Sequence, residues 1–220
     1  MQVQYIFQSC FVIELESHIL LFDYYKGELP TFSTNKPLYV FVSHSHHDHY
    51  NPEIYSIPHP NITYIISKDV DTRGIKLGPN EQITIDDIEI QTLLSTDLGI
   101  AFVILVEGRY IYHAGDLHWW HWIGEPEEDN TYQKQTFQRE INKIKHVPFT
   151  LMMTPLDPRL KEATSWGMEY ILNNVTTTYI FPMHFFTKIK GMNTYIQQSP
   201  LSSFTNIITI KQKGEIFTLP

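Results

Sequence analysis

The stretch "VFVSHSHHDHYNP", Val40 to Pro52, places four histidines and one aspartate within six positions, directly after an apolar run. Imidazole and carboxylate are the side chains that hold divalent ions where thiolates are lacking. His44 and His46 stand two apart, so while the backbone stays extended they point to one side and can share an ion. Asp48 and His49 follow as the chain turns toward Pro52, which swings them off the strand axis and lets them serve a second ion a few ångströms away. Four such groups at one strand end cost too much to desolvate alone, and a metal is the partner that satisfies them together.

The preceding "YVFV" has no polar face and reads as an interior strand of a sheet covered on both sides. Two other apolar runs end in metal-ligand residues: "RYIYHAGD" at Asp116 and "TTYIFPMH" at His184. Three buried strands therefore deliver His or Asp from their ends, the way an α/β sheet gathers functional groups at one edge. The remaining strand candidates are "VQYIF", "FVIEL", "HILLF", "ITYII", "QITI", "IEIQTLL", "AFVILVE", "FTLMM", "IITI" and "EIFTL". Helices are predicted from "NPEIYSI", where Asn51 caps and Pro52 suits the first turn, from "DNTYQKQTFQREINKIK", from "KEATSWGMEYILNN" and from the weaker "KDVDTRGI". A strand-rich first part followed by alternating helices and strands predicts two sheets with outer helices in one layered domain, residues 1–220.

Composition narrows the partners. With 16 Lys+Arg against 24 Asp+Glu and a net charge of -8, the chain lacks the basic footprint of a nucleic-acid or anionic-membrane binder. A small-molecule substrate is the expectation, with a homo-oligomer left open. The single cysteine, Cys10, excludes an intramolecular disulfide and multi-thiolate metal sites, and fits a reducing cytoplasm. The N-terminus has no basic region followed by a small-residue cleavage site, and no run reaches the length of a membrane span.

The hexapeptide "HSHHDH" matches the H-x-H-x-D-H signature of the metallo-β-lactamase-fold hydrolases, and the chain resembles that superfamily along nearly its whole length. The resemblance runs from an opening hairpin pair and Asp23 after "ILLF", through the signature and "YHAGD", to the terminal "FPMH". The segments "STDLGIAFVILVEGRYIYHAGDL" and "FPMHFF" look most like the lactonase-like and phosphodiesterase-like branch. The resemblance implies an α+β fold, a four-layer αββα sandwich. It also implies two divalent ions, with zinc foremost: His44 and His46 on the first, Asp48 and His49 on the second, Asp116 bridging and His184 closing the second site. Asp23 is then a partner behind the signature loop, and Asp48 and Asp116 are the catalytic carboxylates.

One position does not transfer. Family members supply a third histidine to the first metal from a strand between the signature and the bridging aspartate, whereas this chain has "LLSTDLG" there. Either Asp97 substitutes as a carboxylate, or His118 or His121 reaches in from the loop after Asp116, or the first site is incomplete. A carboxylate would favour harder ions such as Mn or Fe and make a bound water less acidic. His113, inside its strand, reads as a core histidine or a support for a ligand, and Cys10 as a small buried residue.

Two segments offer substrate contacts. The loop "GDLHWWHWIGEPEEDN" either forms an aromatic wall over the metals, with Trp119, His118 and His121 touching substrate, or packs its tryptophans into the core or a subunit interface. In "MMTPLDPRLKE", Asp157 and Arg159 follow another strand end, and the arginine suits a phosphate or carboxylate. The function expected is a metal-dependent hydrolase that uses hydroxide activated by two ions about 3.5 to 4 Å apart, acting on a small ester, lactone or phosphodiester. The competing reading is a metal-binding or sensing protein of the same fold with a degenerate first site and little turnover.

Overall fold

The computed structural model describes residues 1–220. The first sheet has seven strands: β1 (Gln2–Phe7), β2 (Cys10–Glu14), β3 (Ile19–Phe22), β4 (Leu38–Val42), β5 (Ile62–Ser67), β6 (Ile75–Leu77) and β13 (Ile216–Thr218), ordered β13-β1-β2-β3-β4-β5-β6. The second has six: β7 (Gln82–Ile85), β8 (Ile88–Leu94), β9 (Ile100–Val106), β10 (Arg109–His113), β11 (Phe149–Pro155) and β12 (Thr177–Met183), ordered β12-β11-β10-β9-β8-β7. Both sheets mix hairpin-joined antiparallel pairs with parallel ones. Strands β3, β4 and β5 run parallel in the first sheet, and β10, β11 and β12 in the second.

The interior strand expected from "YVFV" is β4, and it is buried along its whole length. Its alternation assigns the faces: Tyr39 and Phe41 join the 44-residue core that both sheets share, while Leu38, Val40 and Val42 join a 13-residue cluster on the outer face of the first sheet. Phe41 stacks on Phe22 in its own sheet and meets Phe102 of the second edge-on. Contacts of this kind, each burying a side chain worth about 1.5–3 kcal/mol, hold the two sheets face to face.

The outer layers are unequal. Helices α1 (Glu127–Lys143) and α2 (Trp166–Asn174) supply Phe137, Ile141, Met168 and Ile171 to the shared core, and α3 (Ile189–Gln198) adds Met192. The outer face of the first sheet is covered by loop residues such as Tyr24, Leu29, Phe32 and Val70 and by one 3-10 turn, Pro52–Ser56, which inserts Ile54 after the Asn51 cap expected there. The helix expected from "KEATSWGMEYILNN" is realised as the end of a 3-10 segment, Pro158–Ala163, itself kinked at Lys161 (φ 55°, ψ −114°), followed by α2. No helix forms from "KDVDTRGI". There the Asp69 carboxylate is drawn back onto the Ser45 amide, and Gly74 at φ +139° brings the chain into β6. The strand expected from "IITI" is reduced to one bridge, Ile207 to Ile180. Helix α3 was not anticipated, although Ile189, Met192 and Ile196 repeat at helical spacing. No helix is long and apolar enough to cross a membrane.

Candidate metal centre

Five strands end at one edge of the sandwich, and each end carries a polar side chain. Asp23 follows β3, the histidine run follows β4, Asp116 follows β10, Asp157 follows β11 and His184 follows β12. The two sheets are joined at this edge by the Ile100 amide donating to the Ser43 carbonyl, 3.0 Å. The approach is so close that a Cβ on Gly99 would lie 2.1 Å from that carbonyl and one on Gly115 2.7 Å from Ser43 Cβ. Both glycines also hold positive φ, so the residue type is required twice over.

Besides the trio Asp23, His44 and His49, the ligand atoms fall into two groups that meet at Asp116. In the first, His44, His46 and Asp116 each place a donor atom within 4.8 Å of the others. His44 Nε2 lies 3.4 Å from Asp116 Oδ2 and 3.1 Å from His46 Nδ1. In the second, Asp48, His49 and His184 meet the same limit. Here Asp116 turns its other oxygen, Oδ1, to His49 Nε2 at 3.1 Å and His184 Nε2 at 3.4 Å, while Asp48 Oδ2 stands 3.7 Å from His184 Nε2. One carboxylate thus divides its two oxygens between two sets of imidazoles.

The residues behind the histidines fix which nitrogen faces inward. The Ser43 hydroxyl donates to Asp23 Oδ2, 2.6 Å, and so accepts from His44 Nδ1–H, 2.9 Å. His49 Nδ1–H donates to Asp23 Oδ2 at 2.7 Å, and His184 Nδ1–H to Asp157 Oδ2 at 2.9 Å. Each support commits the proton to Nδ1 and leaves Nε2 pointing at Asp116, the arrangement in which imidazole binds a metal. His49 Nε2 and Asp116 Oδ1 are buried without a hydrogen-bond partner. Inward-facing imidazole nitrogens packed against carboxylates favour positive charge between them, and the mixed donor set fits a divalent metal.

Electrostatics agree. Burial would lower the His49 pKa, but Asp116 and Asp23 on its two sides raise it well above the ordinary imidazole range. Burial would raise Asp116, but the charges of His49 and His184 hold it well below the usual carboxylate range. Asp157 is pushed up by burial and down more strongly by hydrogen bonds from His184 and Arg159, to about 2. The edge draws positive charge wherever it is offered.

His44, His46, Asp48, His49, Asp116 and His184 therefore come together. Asp97 sits at the rim, half-exposed, its Oδ2 3.7 Å from His46 Nδ1. Asp157 is fully buried behind His184, a support rather than a surface that substrate could touch, and Arg159 is bound to it while lining the cleft in front. Three expected substrate contacts lie elsewhere. His118 is fully buried between Trp120 and Phe137, Trp119 packs on Phe137, Trp166 and Tyr170, and His121 lies against Trp166. The apolar surface of α1 and α2 captures these rings, so the aromatic wall of the cleft is made by Trp120 and Trp122, stacked at 6.0 Å. His113 is a satisfied core histidine: Nε2–H donates to the Ser9 carbonyl, Nδ1 accepts from the Gly115 amide, and the ring stacks on Phe22.

The sequence reading missed Gln8. It is fully buried in the β1–β2 turn at φ +58°, donates Nε2–H to Asp48 Oδ2 at 3.2 Å and accepts from the Phe186 amide at 2.8 Å. A polar residue between two buried strands was its only signal.

The model of the beta-lactamase superfamily domain matches residues 2–127. A UPF0173 metal-dependent hydrolase of Alkaliphilus metalliredigens is 26% identical over 140 residues, which cover 53% of this chain and 63% of that protein, less than two thirds of its length. Among solved structures, Igni18, a metallo hydrolase of Ignicoccus hospitalis, superposes with a TM-score of 0.65 at 14% identity, covering 100% of both chains. A possible metal-dependent hydrolase of Veillonella parvula gives 0.64 at 14% identity, covering 100% of this chain and 99% of that one. The fold is common to the two solved structures, and because the family model matches more than half of this chain, the chain belongs to the metallo-β-lactamase superfamily.

Proposed function

We propose that the chain is a metal-dependent hydrolase that holds two divalent ions and cleaves a small ester, lactone or phosphodiester. The observation that carries this reading is the division of Asp116: Oδ2 toward His44, Oδ1 toward His49 and His184. His44, His46 and Asp116 would hold one ion, with Asp97 as the added oxygen donor at the rim. Asp48, His49, His184 and Asp116 would hold the other. The names of the relatives, metal-dependent hydrolase and metallo hydrolase, point the same way. Zinc is the first choice of ion, and the acidic share of the donors keeps manganese and iron in play. A lone buried cysteine and an acidic surface suit a cytoplasmic enzyme for a small molecule.

Two ions held there would supply Lewis acidity and make water a nucleophile near neutral pH. The chain's own groups do the rest. Asp116, kept ionised, orients the attacking water. Asp48, the more accessible of the two carboxylates, is steadied by Gln8 and takes up the water's proton and returns it to the leaving oxygen. Trp120 and Trp122 wall the cleft and exclude bulk water from one side.

Elemental analysis of untagged protein, followed by reconstitution and a panel of lactones, esters and phosphodiesters, tests this. Two equivalents of metal with turnover support the hydrolase. One equivalent or none, with no turnover after reconstitution, would transfer the assignment to a metal-binding or sensing protein whose first site is degenerate.

A further inference from the structure

The cleft in front of the metal centre is small, about 190 Å³, room for about six waters. Its walls include Asp97, Asp116, Trp120, Trp122, Gln133 and, alone in carrying a permanent positive charge, Arg159. How Arg159 is held sets it apart from a surface arginine. Asp157 caps the turn that begins at Pro158, accepting from the Arg159 amide at 2.8 Å, and the same carboxylate takes the guanidinium through Nε at 2.9 and 3.0 Å and through Nη2. The guanidinium carbon stands 5.6 Å from the centre of the Trp122 ring and 5.5 Å from that of Phe186. A carboxylate and two aromatic rings therefore fix the plane, and the side chain is nonetheless 48% exposed.

Asp157 uses Nε and Nη2. Nη1 makes no hydrogen bond to the protein, so the guanidinium has N–H donors to spare on a rigid mount. A second polar group in the same cleft is also unmatched: Gln133 Oε1, on α1, is buried with no partner. A guanidinium that served only to neutralise Asp157 would need neither the aromatic clamp nor a place in the wall of the cleft.

We propose that Arg159 is the anchor for an oxyanion of the substrate, a carboxylate or phosphoryl group, with Trp120 and Trp122 the apolar wall and Gln133 Oε1 accepting from an O–H or N–H elsewhere on the substrate. The substrate is then a small anion rather than a neutral ester or lactone. This rests on the hydrolase reading above and narrows it. The pre-fixed fork loses little conformational freedom on binding, and planar donor pairs match carboxylate and phosphate geometry. Discrimination comes from the pairing itself: a neutral analogue leaves the guanidinium edge dehydrated and unpaired.

The test uses metal-reconstituted wild type, Arg159→Lys and Arg159→Gln with three chromogenic probes: neutral p-nitrophenyl acetate, the carboxylate mono-p-nitrophenyl succinate, and the phosphodiester methyl p-nitrophenyl phosphate. Wild type should favour one of the anionic probes, and that probe names the oxyanion. Arg159→Gln should lose about 10- to 100-fold more on it than on the acetate, with the difference mainly in KM. Arg159→Lys should recover part of the loss. An equal fall for acetate and anion would overturn the anchor, since it would place Arg159 purely behind Asp157 and His184. Absence of turnover with all three probes counts against the hydrolase and leaves the anchor to be judged by calorimetry. Succinate or inorganic phosphate should then bind wild type at least tenfold more tightly than Arg159→Gln, and equal affinities would dispose of it.

Discussion

Asp116 Oδ1 lies 3.1 Å from His49 Nε2, both atoms are buried, and neither has a hydrogen-bond partner. That pair marks the centre of the site, because the other oxygen of Asp116 serves His44. Asp116→Ala should therefore strip metal from both halves at once and reduce turnover by at least about 10³-fold. Elemental analysis beside a rate measurement checks it; full activity with unchanged metal content would end the bridging assignment.

Asp97 approaches only His46, from the rim, at 3.7 Å. Asp97→Ala should weaken one of the two ions and spare the other, with stability changed by no more than about 0.5 kcal/mol because the side chain is half-exposed. Metal titration should resolve one weakened step. Two equally tight equivalents would remove Asp97 from the donor set.

Gln8 ties Asp48 to the segment after β12 through its two amide atoms. Gln8→Leu leaves the Phe186 amide and Asp48 without that partner and should cost about 1–3 kcal/mol in urea unfolding. The same change should lower affinity for the ion held by Asp48, His49 and His184. Wild-type values of both quantities would show that Gln8 merely fills space.

His118 covers Gly167 so closely that a Cβ there would sit 2.3 Å from the ring's Cε1. The ring is fully buried among Trp120 and Phe137 and has nowhere to retreat. Gly167→Ala should destabilise by about 1–3 kcal/mol through overpacking, and the added change His118→Ala should relieve part of that penalty. A single variant as stable as wild type would contradict the packing described.

Glu107 accepts from the Glu16 and Ser17 amides and from the His18 ring, three consecutive residues far from it in sequence. Burial raises its pKa, but the hydrogen bond from His18 and those from Ser17 and Glu16 outweigh burial and lower it. A lowered folded value means the stabilisation is complete above the ordinary glutamate range, near about 4.3, and fades as pH falls through the folded value. The melting-temperature gap between wild type and Glu107→Gln should shrink as the pH is lowered from about 5 to below about 4. A gap that widens toward acid would reverse the sign assigned to Glu107.

The histidine run, the strand before it and the two later strand ends at Asp116 and His184 were legible in the sequence, because ligand spacing and uninterrupted apolar runs are local properties of the chain. Which residues stand behind the ligands was less local. Asp157 reads along the chain as a pocket residue beside Arg159, yet the parallel register of β11 and β12 places it beneath His184 Nδ1. Gln8 carries no motif, and only the meeting of the β1–β2 turn with the segment after β12 gives it Asp48. The tryptophan loop divides for the same reason. Composition left open an aromatic wall or rings packed inward, and both occur: the apolar faces of α1 and α2 took His118 and Trp119, leaving Trp120 and Trp122 for the cleft. Residue type and spacing determined that this chain gathers metal donors at strand ends. Which side chains face the ions, support them or face the substrate was decided by the register and packing of strands distant in sequence, since a side chain's direction depends on what already fills the space beside it.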